Sequence, residues 1–447
     1  MKSSWFRSLI SIASICLPLT AMAQEYDLSA LFELAKAKDP TLGRAFAQTE
    51  AGKAEHAIAR SALLPHLNAG GSLKRFWHSV LDYTPTTQTG QYTGYSYNAA
   101  VDVPVFSMPS YYDLSAAKAG CDSAESQLAA TRQELMVRLS NAYITLLKAQ
   151  SDIHLYRDQT KRLAIVLKQA QAFLKAGTGD IIAVYEAQAQ QDSANADLVK
   201  AESQLRLAEQ QLSRLAGTTV TSIRDITPST PSKAQPDDLE WWLATLSQRH
   251  PALNQAQHTV RQYSLYRSAA RARHLPTVQA SGGYTVDKGS TFLPDVETRQ
   301  WYVGLALNIP LFSGGETSAR SKLAIAQETD RRLVLDDTRE QLTQRLKEAF
   351  LSIQYNIKLS EAYQHKVTST DIQLKAVTRG RAIGTRSLGD LLQAEHASAV
   401  SRRDLQHALY DNIQLHIELK AAAGILAIHD FVEINQHLPI AAAPEPQ

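Results

Sequence analysis

Charged residues crowd one short stretch of this chain. Arg379, Arg381, Arg386 and Asp390 lie in and just before Gly384–Ala394, which reads GTRSLGDLLQA. A carboxylate beside guanidinium groups can form ion pairs or attract cations, and two readings are open. In the first, these are ordinary helix charges around a solvated turn. In the second, the chain is one of several in a closed ring, and each charge recurs once per subunit about a shared axis. A ring of Asp390 would then attract cations, and pairing with Arg could hold the opening shut, as rings of charge do in pores. A degraded twin of the stretch, Gly177–Ala187, reads GTGDIIAVYEA.

Other chemistry is not legible. The chain has no GxxxxGK followed by Ser or Thr, no GxSxG and no HExxH. The GxG of Gly177 and Gly179 follows a helical pattern rather than a strand, so it does not read as a nucleotide loop. The 13 His residues are scattered, and His365 and His396 read as solvated helix positions. No cofactor, no metal and no catalytic activity is expected.

The elements that carry the charged stretch begin after a secretory signal. Residues 1–23 have a basic start (Lys2, Arg7), an apolar run Leu9–Leu19 too short to span as a helix, and a small-x-small end at Ala21-Met22-Ala23. Maturation is expected at Gln24. Cys16 is not expected to be lipidated, because Ile15 before it is large. Cleavage would leave one thiol, Cys121, which excludes an internal disulfide and a cysteine metal site. Losing Lys2 and Arg7 balances 44 basic against 44 acidic residues, which gives no footing for nucleic acid. No later apolar run reaches the ~18 residues of a transmembrane helix, so a membrane role would have to use strands.

The chain repeats itself. Asp39-Pro40 matches His250-Pro251, and Leu64-Pro65 matches Leu275-Pro276, both 211 residues apart. Val103-Pro104-Val105-Phe106 matches Ile309-Pro310-Leu311-Phe312 at 206, and Leu215-Ala216-Gly217 matches Ala422-Ala423-Gly424 at 207. Residues 24–217 and 239–424 therefore read as tandem copies. A Thr-, Ser- and Pro-rich linker, 218–238, separates them. The tail after Gly424 (425–447), ending in AAAPEPQ, is expected to be disordered.

Each copy starts with short helices: in the first, Leu28–Lys38 and a second, opened by Pro40, that runs to about Leu64. A strand pair follows. Tyr95, Tyr97, Ala99, Val101, Val103 and Val105 alternate with polar neighbours, as do Trp301, Val303, Leu305, Leu307, Ile309 and Leu311. The hairpins are expected at about 67–106, with a loop over 78–91, and at about 277–312. A very long helix, about 110–176 in copy one, then carries a heptad seam from Leu135 to Leu174, turns at the glycines, and returns. Four strands are too few for a membrane barrel, which needs ~8. An open edge cannot face lipid, so several chains would have to share one barrel, and three would give twelve strands.

With the PVF and PLFSGG ends of its strand pairs and both hairpin turns, the chain resembles the TolC family of outer-membrane export channels over essentially all of its mature length. The resemblance implies a mainly α fold with membrane β. Long antiparallel helical hairpins would form a trimeric α-barrel through the periplasm, below a shared 12-stranded β-barrel in the outer membrane. It also implies a passive duct, used in type I protein secretion or in efflux of drugs and toxic compounds. A periplasmic adaptor would join it to an inner-membrane ABC or proton-driven transporter.

At the mouth the resemblance is partial. Asp390 matches the family's first entrance-lining aspartate, but Gln393 stands where a second is found. Arg386 matches an arginine that helps hold the mouth closed. Arg381 replaces a closing tyrosine, and Ala183 replaces the aspartate which that tyrosine contacts. The resemblance thus implies one carboxylate ring, with Arg381 left to pair with an acid such as Asp390 or Asp180. Two other classes compete with a duct: a structural trimeric coiled coil, and a periplasmic adaptor without a pore. Amphipathic strand pairs in both copies disfavour both.

Overall fold

A computed structural model describes residues 26–80, 88–220, 222–224, 231–289 and 296–436. The expected signal segment, its cleavage site and the AAAPEPQ end lie outside these residues. In order, the elements are α1 (Leu28–Lys38), α2 (Pro40–Ser61), β1 (His66–Val80), β2 (Gln88–Phe106), α3 (Met108–Lys175) and α4 (Ile181–Ala216). Then come α5 (Leu239–Arg249), α6 (Pro251–Ala272), β3 (Thr277–Lys288), β4 (Glu297–Asn308), α7 (Glu316–Ala382), α8 (Leu388–Ala422) and α9 (Ile428–Gln436). The second series follows the first in order and nearly in length: α3 has 68 residues and α7 has 67, α4 has 36 and α8 has 35. At ~1.5 Å per residue, α3 and α7 each reach ~100 Å.

The strands form one antiparallel sheet in the order β1-β2-β3-β4, so β1 and β4 are its edges. Register places most of the apolar residues of the four strands on one face, although Phe76 and Tyr92 stack on the other. Leu67 lies opposite Val101, Val101 opposite Gly282, and Gly282 opposite Val303. The next row is Ala69, Ala99, Tyr284 and Trp301, with the Tyr284 and Trp301 rings 4.4 Å apart. The alternate face carries Asn68, Ser72, Asn98, Asp102, Ser281 and Thr285, and Gln279 donates to Asp102 across it at 3.1 Å. Among the described residues no helix is long and apolar enough to cross a membrane, whereas this sheet offers a continuous apolar surface.

Much of the expected loop at 78–91 is strand. Pairing continues from His78 with Gly90 to Val80 with Gln88, because backbone hydrogen bonds do not require apolar alternation. The helix expected to reach Leu64 ends at Ser61, since Pro65 disfavours helical geometry in the residue before it. The tail is also corrected. Its first part folds as α9, where Phe431 is fully buried edge-on to Phe32, with ring centres 6.1 Å apart. Asp430 accepts from Ala427 N at 2.7 Å and pairs with Lys420.

The heptad seam of α3 is buried at Leu135, Leu139, Ala142, Leu146, Ala149, Ile153, Leu163, Leu167 and Ala170. Met136, Tyr143, Ile144 and Leu147 are buried as well, because the middle of α3 is packed among α1, α4 and α8. On α4 the buried positions Ala187, Ala194, Ala201 and Ala208 recur every heptad, so small residues set a close approach of the two helices.

Equivalent helix starts use different chemistry. Asp39 caps α2, accepting from Leu42 N at 2.8 Å and pairing with Arg138 Nη2 at 3.3 Å. Burial works against its charge, but hydrogen bonds from Thr41 and Leu42 and the Arg138 charge outweigh it and hold the carboxyl below its usual range. At the matching start of α6, His250 accepts from Ala252 N through Nδ1 at 3.2 Å. Burial, with help from the Arg345 charge, pushes the His250 imidazole down to about 4. Arg345 is the counterpart of Arg138 at the 207-residue offset of the long helices, so one copy has an ion pair where the other has a neutral imidazole beside a cation.

Two predictions follow from these junctions. The unfolded chain protonates His250 at an ordinary 6.5 and the folded one only near 4. The stability this group contributes is therefore intact above the upper value and lost as pH falls towards the lower. The loss approaches ~3 kcal/mol. His250→Asp, which recreates the Asp39–Arg138 arrangement with Arg345, should remove this acid-sensitive step in urea unfolding; an unchanged step would assign it elsewhere. Gly424 (φ +76°) ends α8 with the site of a Cβ only 2.4 Å from His250 Cα, whereas Gly177 (φ +75°) has nothing within 4 Å. Gly177→Ala should cost ~1–2 kcal/mol for left-handed backbone. Gly424→Ala should cost about 3 kcal/mol or more, and equal losses in the same unfolding assay would refute the role of the close approach.

Candidate functional site

The two hairpin turns are built alike. At the end of α3, Gly177 is left-handed and Thr178 N donates to Phe173 O at 3.1 Å. At the end of α7, Gly384 is left-handed (φ +80°) and Thr385 N donates to Gly380 O at 2.8 Å. In each turn the threonine hydroxyl bonds the same carbonyl. This six-residue closure is a common helix C-terminal motif and requires glycine at the left-handed position. The side chains are exchanged between the copies. A Cβ at Gly179 would meet Phe173 Cβ at 2.9 Å, and a Cβ at Gly380 would meet Arg386 Cγ at 2.7 Å. Residues 173 and 380 are equivalent, as are 179 and 386, so each turn keeps one glycine of the touching pair and places a large side chain at the other.

Arg386 thus lays its stem across Gly380 at the second turn. Ser387 then caps α8 in a reciprocal box: Asp390 N donates to Ser387 Oγ at 3.1 Å, and Ser387 N donates to Asp390 Oδ2 at 3.0 Å. The hydrogen bond from Ser387 N, with the Ser387 hydroxyl and the Arg386 charge, holds the Asp390 carboxyl below its usual range. In the first turn Asp180 caps α4, accepting from Ile182 N at 3.1 Å.

The structure therefore gathers Arg386 and Asp390 on one turn, and Gln393 lies exposed about one helical turn further along α8. Arg379 is exposed on the last turn of α7. Ala183 sits half-buried on the first turn of α4, among the apolar residues that join the two hairpins. Arg381 is half-buried, and burial lowers its guanidinium from the ordinary value. Among the described residues it forms no ion pair, with Asp390, Asp180 or any other acid. A different acid links the turns: the site of a Cβ at Gly389 lies 3.5 Å from Glu186 Oε2. The Glu186 carboxylate thus rests on the first turn of α8, where the positive end of the helix favours it.

Further along, the two hairpins are tied by a polar ladder between α3 and α8. Lys148 pairs with Asp411, His407 Nε2 lies 2.9 Å from Asp152 Oδ1, and Arg403 Nη1 donates to Tyr156 OH at 3.2 Å. The rungs advance four residues up α3 for every four down α8. Arg162 Nε donates to Glu395 Oε2 at 3.2 Å closer to the turns. A cleft of about 450 Å³ opens beside the ladder, lined in part by Asp197, Lys200 and His396. Apart from His396, read from the sequence as a solvated helix position, these residues were not singled out from the sequence. Their i, i+4 spacing is visible on each helix, but the pairing of α3 with α8 is a tertiary fact.

Comparison with known proteins places this architecture. The family model described as outer membrane efflux protein matches residues 31–218 and again 242–425. The chain is similar to the outer membrane protein TolC of Vibrio cholerae, with 27% identity over 93% of this chain and 94% of that one. It is also similar to the alkaline protease secretion protein AprF of Pseudomonas aeruginosa, with 27% identity over 88% and 84%. The crystal structure of the outer membrane protein VceC from Vibrio cholerae superposes with a TM-score of 0.79 at 19% identity, covering 89% of this chain and 96% of that one. With both halves matched in order, the chain belongs to the outer membrane efflux protein family.

Proposed function

We propose that the protein is a passive outer-membrane export duct and not an enzyme, working as a homotrimer. One observation carries the reading. The sheet has a continuous apolar face across all four strands and ends in two unpaired edges, β1 and β4. In a membrane those edges must be paired. Joining β4 of one chain to β1 of the next in a ring of three gives a closed barrel of about twelve strands, within the range of outer-membrane barrels. The long helical hairpins then extend the barrel as a second tube of ~100 Å, which reaches into the periplasm and ends at the hairpin turns.

In this reading Asp390, Gln393, Arg386 and Arg381 surround the periplasmic mouth. Asp390 supplies one ring of carboxylates, held ionised by its cap, and Gln393 adds none. The inter-hairpin contacts of Glu186, Arg162 and the α3–α8 ladder take the closing role that Arg381 does not fill within the chain. The mouth would meet a periplasmic adaptor and, through it, an inner-membrane ABC or proton-driven transporter that supplies the energy. Two relatives carry protease secretion in their names: AprF and the proteases secretion protein PrtF of Dickeya chrysanthemi, the latter 26% identical over 92% of this chain. They favour type I protein secretion as the pathway served.

Two outcomes test the duct. Purified oligomer in a planar bilayer should give discrete ion conductance, and a protein that inserts without conducting is not a channel. Asp390→Asn, which keeps the hydrogen-bonding geometry of the cap, should weaken block by multivalent cations by about tenfold or more, as expected for removing one charge from each subunit of a ring. Because the Asp390 carboxyl is held low, block of the unmodified channel should persist when the solution is acidified to about pH 5. Block that is equal in the variant and the parent would remove Asp390 from the constriction.

A further inference from the structure

All four junctions between helix and strand present a large apolar side chain to the outside. Leu64 precedes β1 and Leu275 precedes β3, exposed by 47% and 44%; Phe106 ends β2 and Phe312 follows β4, exposed by 40% and 90%. The apolar face of the sheet starts at this level, so the four residues mark the edge of the hydrocarbon nearest the helices.

Arg60 and Arg271 lie one helical turn outside that edge. They are equivalent by the repeat, each four residues before the marker leucine. The intervening turn is closed in the same way twice. Leu63 N donates to Arg60 O and Leu64 N to Ser61 O, at 3.0 and 2.9 Å; His274 N donates to Arg271 O and Leu275 N to Ala272 O, at 3.2 and 2.9 Å. The capping residues Ala62 and Arg273 share backbone angles, near φ −63°, ψ −10° and φ −65°, ψ −9°. Each arginine is therefore held in the same relation to its leucine.

Both arginines are exposed, and neither forms an ion pair or a side-chain hydrogen bond among the described residues. Two cations on neighbouring helix segments are paired, Arg320 with Glu316 and Arg267 with Glu328.

We propose that Arg60 and Arg271 are binding sites for the headgroups of anionic phospholipids in the leaflet on the helical side of the membrane. The inference rests on the barrel reading above. An arginine one turn, or ~5 Å, beyond an apolar marker sits at the depth of lipid phosphates, and its planar fork suits a phosphate in two contacts. The partner leucine, four residues on and just past the end of the helix, meets the acyl chain beneath that phosphate. In a trimer the two copies give six such sites around the rim. They hold the barrel at a fixed depth while the helical tube is loaded from below.

The test uses full-length protein in phosphatidylethanolamine bilayers containing spin-labelled phosphatidylglycerol or spin-labelled phosphatidylcholine. The parent should restrict the motion of phosphatidylglycerol preferentially. R60Q with R271Q should reduce that preference by about fivefold per arginine, and R60K with R271K should retain much of it. An equal preference in the glutamine variant, or no preference in the parent that nonetheless restricts both lipids, overturns the proposal and leaves the barrel intact. A parent that fails to insert and restricts neither lipid overturns the barrel reading together with the proposal.

Discussion

An unpaired strand edge is not tolerated in hydrocarbon, and most of this structure depends on that constraint. A single chain makes four strands with one apolar face and two open edges. The sheet is stable in lipid only when every backbone donor and acceptor has a partner, and in the proposed duct other copies of the chain supply the closure. Once copies are arranged in a ring, every element joined to the sheet inherits the ring. The helices leaving β2 and β4, with α6 and α8 packed between them, become staves of a tube, and a turn at the far end of each hairpin becomes part of a circular opening. A charge that would be unremarkable on a monomer then acts at each symmetry-related position.

The same constraint separates what was legible in the sequence from what was not. The helical hairpins were readable because their seams repeat over many heptads, and from Leu135 to Ala170 on α3 every seam position but Tyr156 and Thr160 is buried. The strand faces were readable because Val101, Val303 and their neighbours alternate. The outer ends of β1 and β2 were not, because the pairing of His78 with Gly90 is backbone chemistry that leaves no apolar pattern. The α9 helix was hidden for a different reason. Its nine residues are too few for a seam, and it is held by tertiary contacts, among them Phe431 against Phe32 some 400 residues earlier in the chain and Asp430 with Lys420.

At the candidate mouth the sequence located the turn and its charges but not their partners. Asp390 was visible as a carboxylate near three arginines; that Ser387 and its own backbone occupy it was not. Arg381 reads as a cation in search of an acid, and the structure leaves it half-buried without one in the chain. Glu186 was passed over because its role depends on the missing side chain of Gly389 in the other copy. Duplication explains much of this. Asp39 with Arg138 and His250 with Arg345, or Phe173 with Gly179 and Gly380 with Arg386, are the same contacts filled in different ways. A residue in one copy is best understood through its counterpart in the other.

The ladder between α3 and α8 restricts how the hairpins can move. Lys148, Asp152 and Tyr156 face Asp411, His407 and Arg403 in a fixed order. Sliding α8 by one turn in one direction would set Asp152 against Asp411. Sliding it the other way would set Lys148 against His407 and leave Tyr156 facing Ala399, while bringing Arg403 opposite Asp152. Neither slipped register restores the three rungs: one sets two carboxylates together, and the other keeps a single new pair. Swinging or untwisting the hairpins about their upper ends separates the rungs in sequence, like a zip, without forming a wrong pair. The order of charges along two helices thus favours rotation over sliding as the way the hairpins separate.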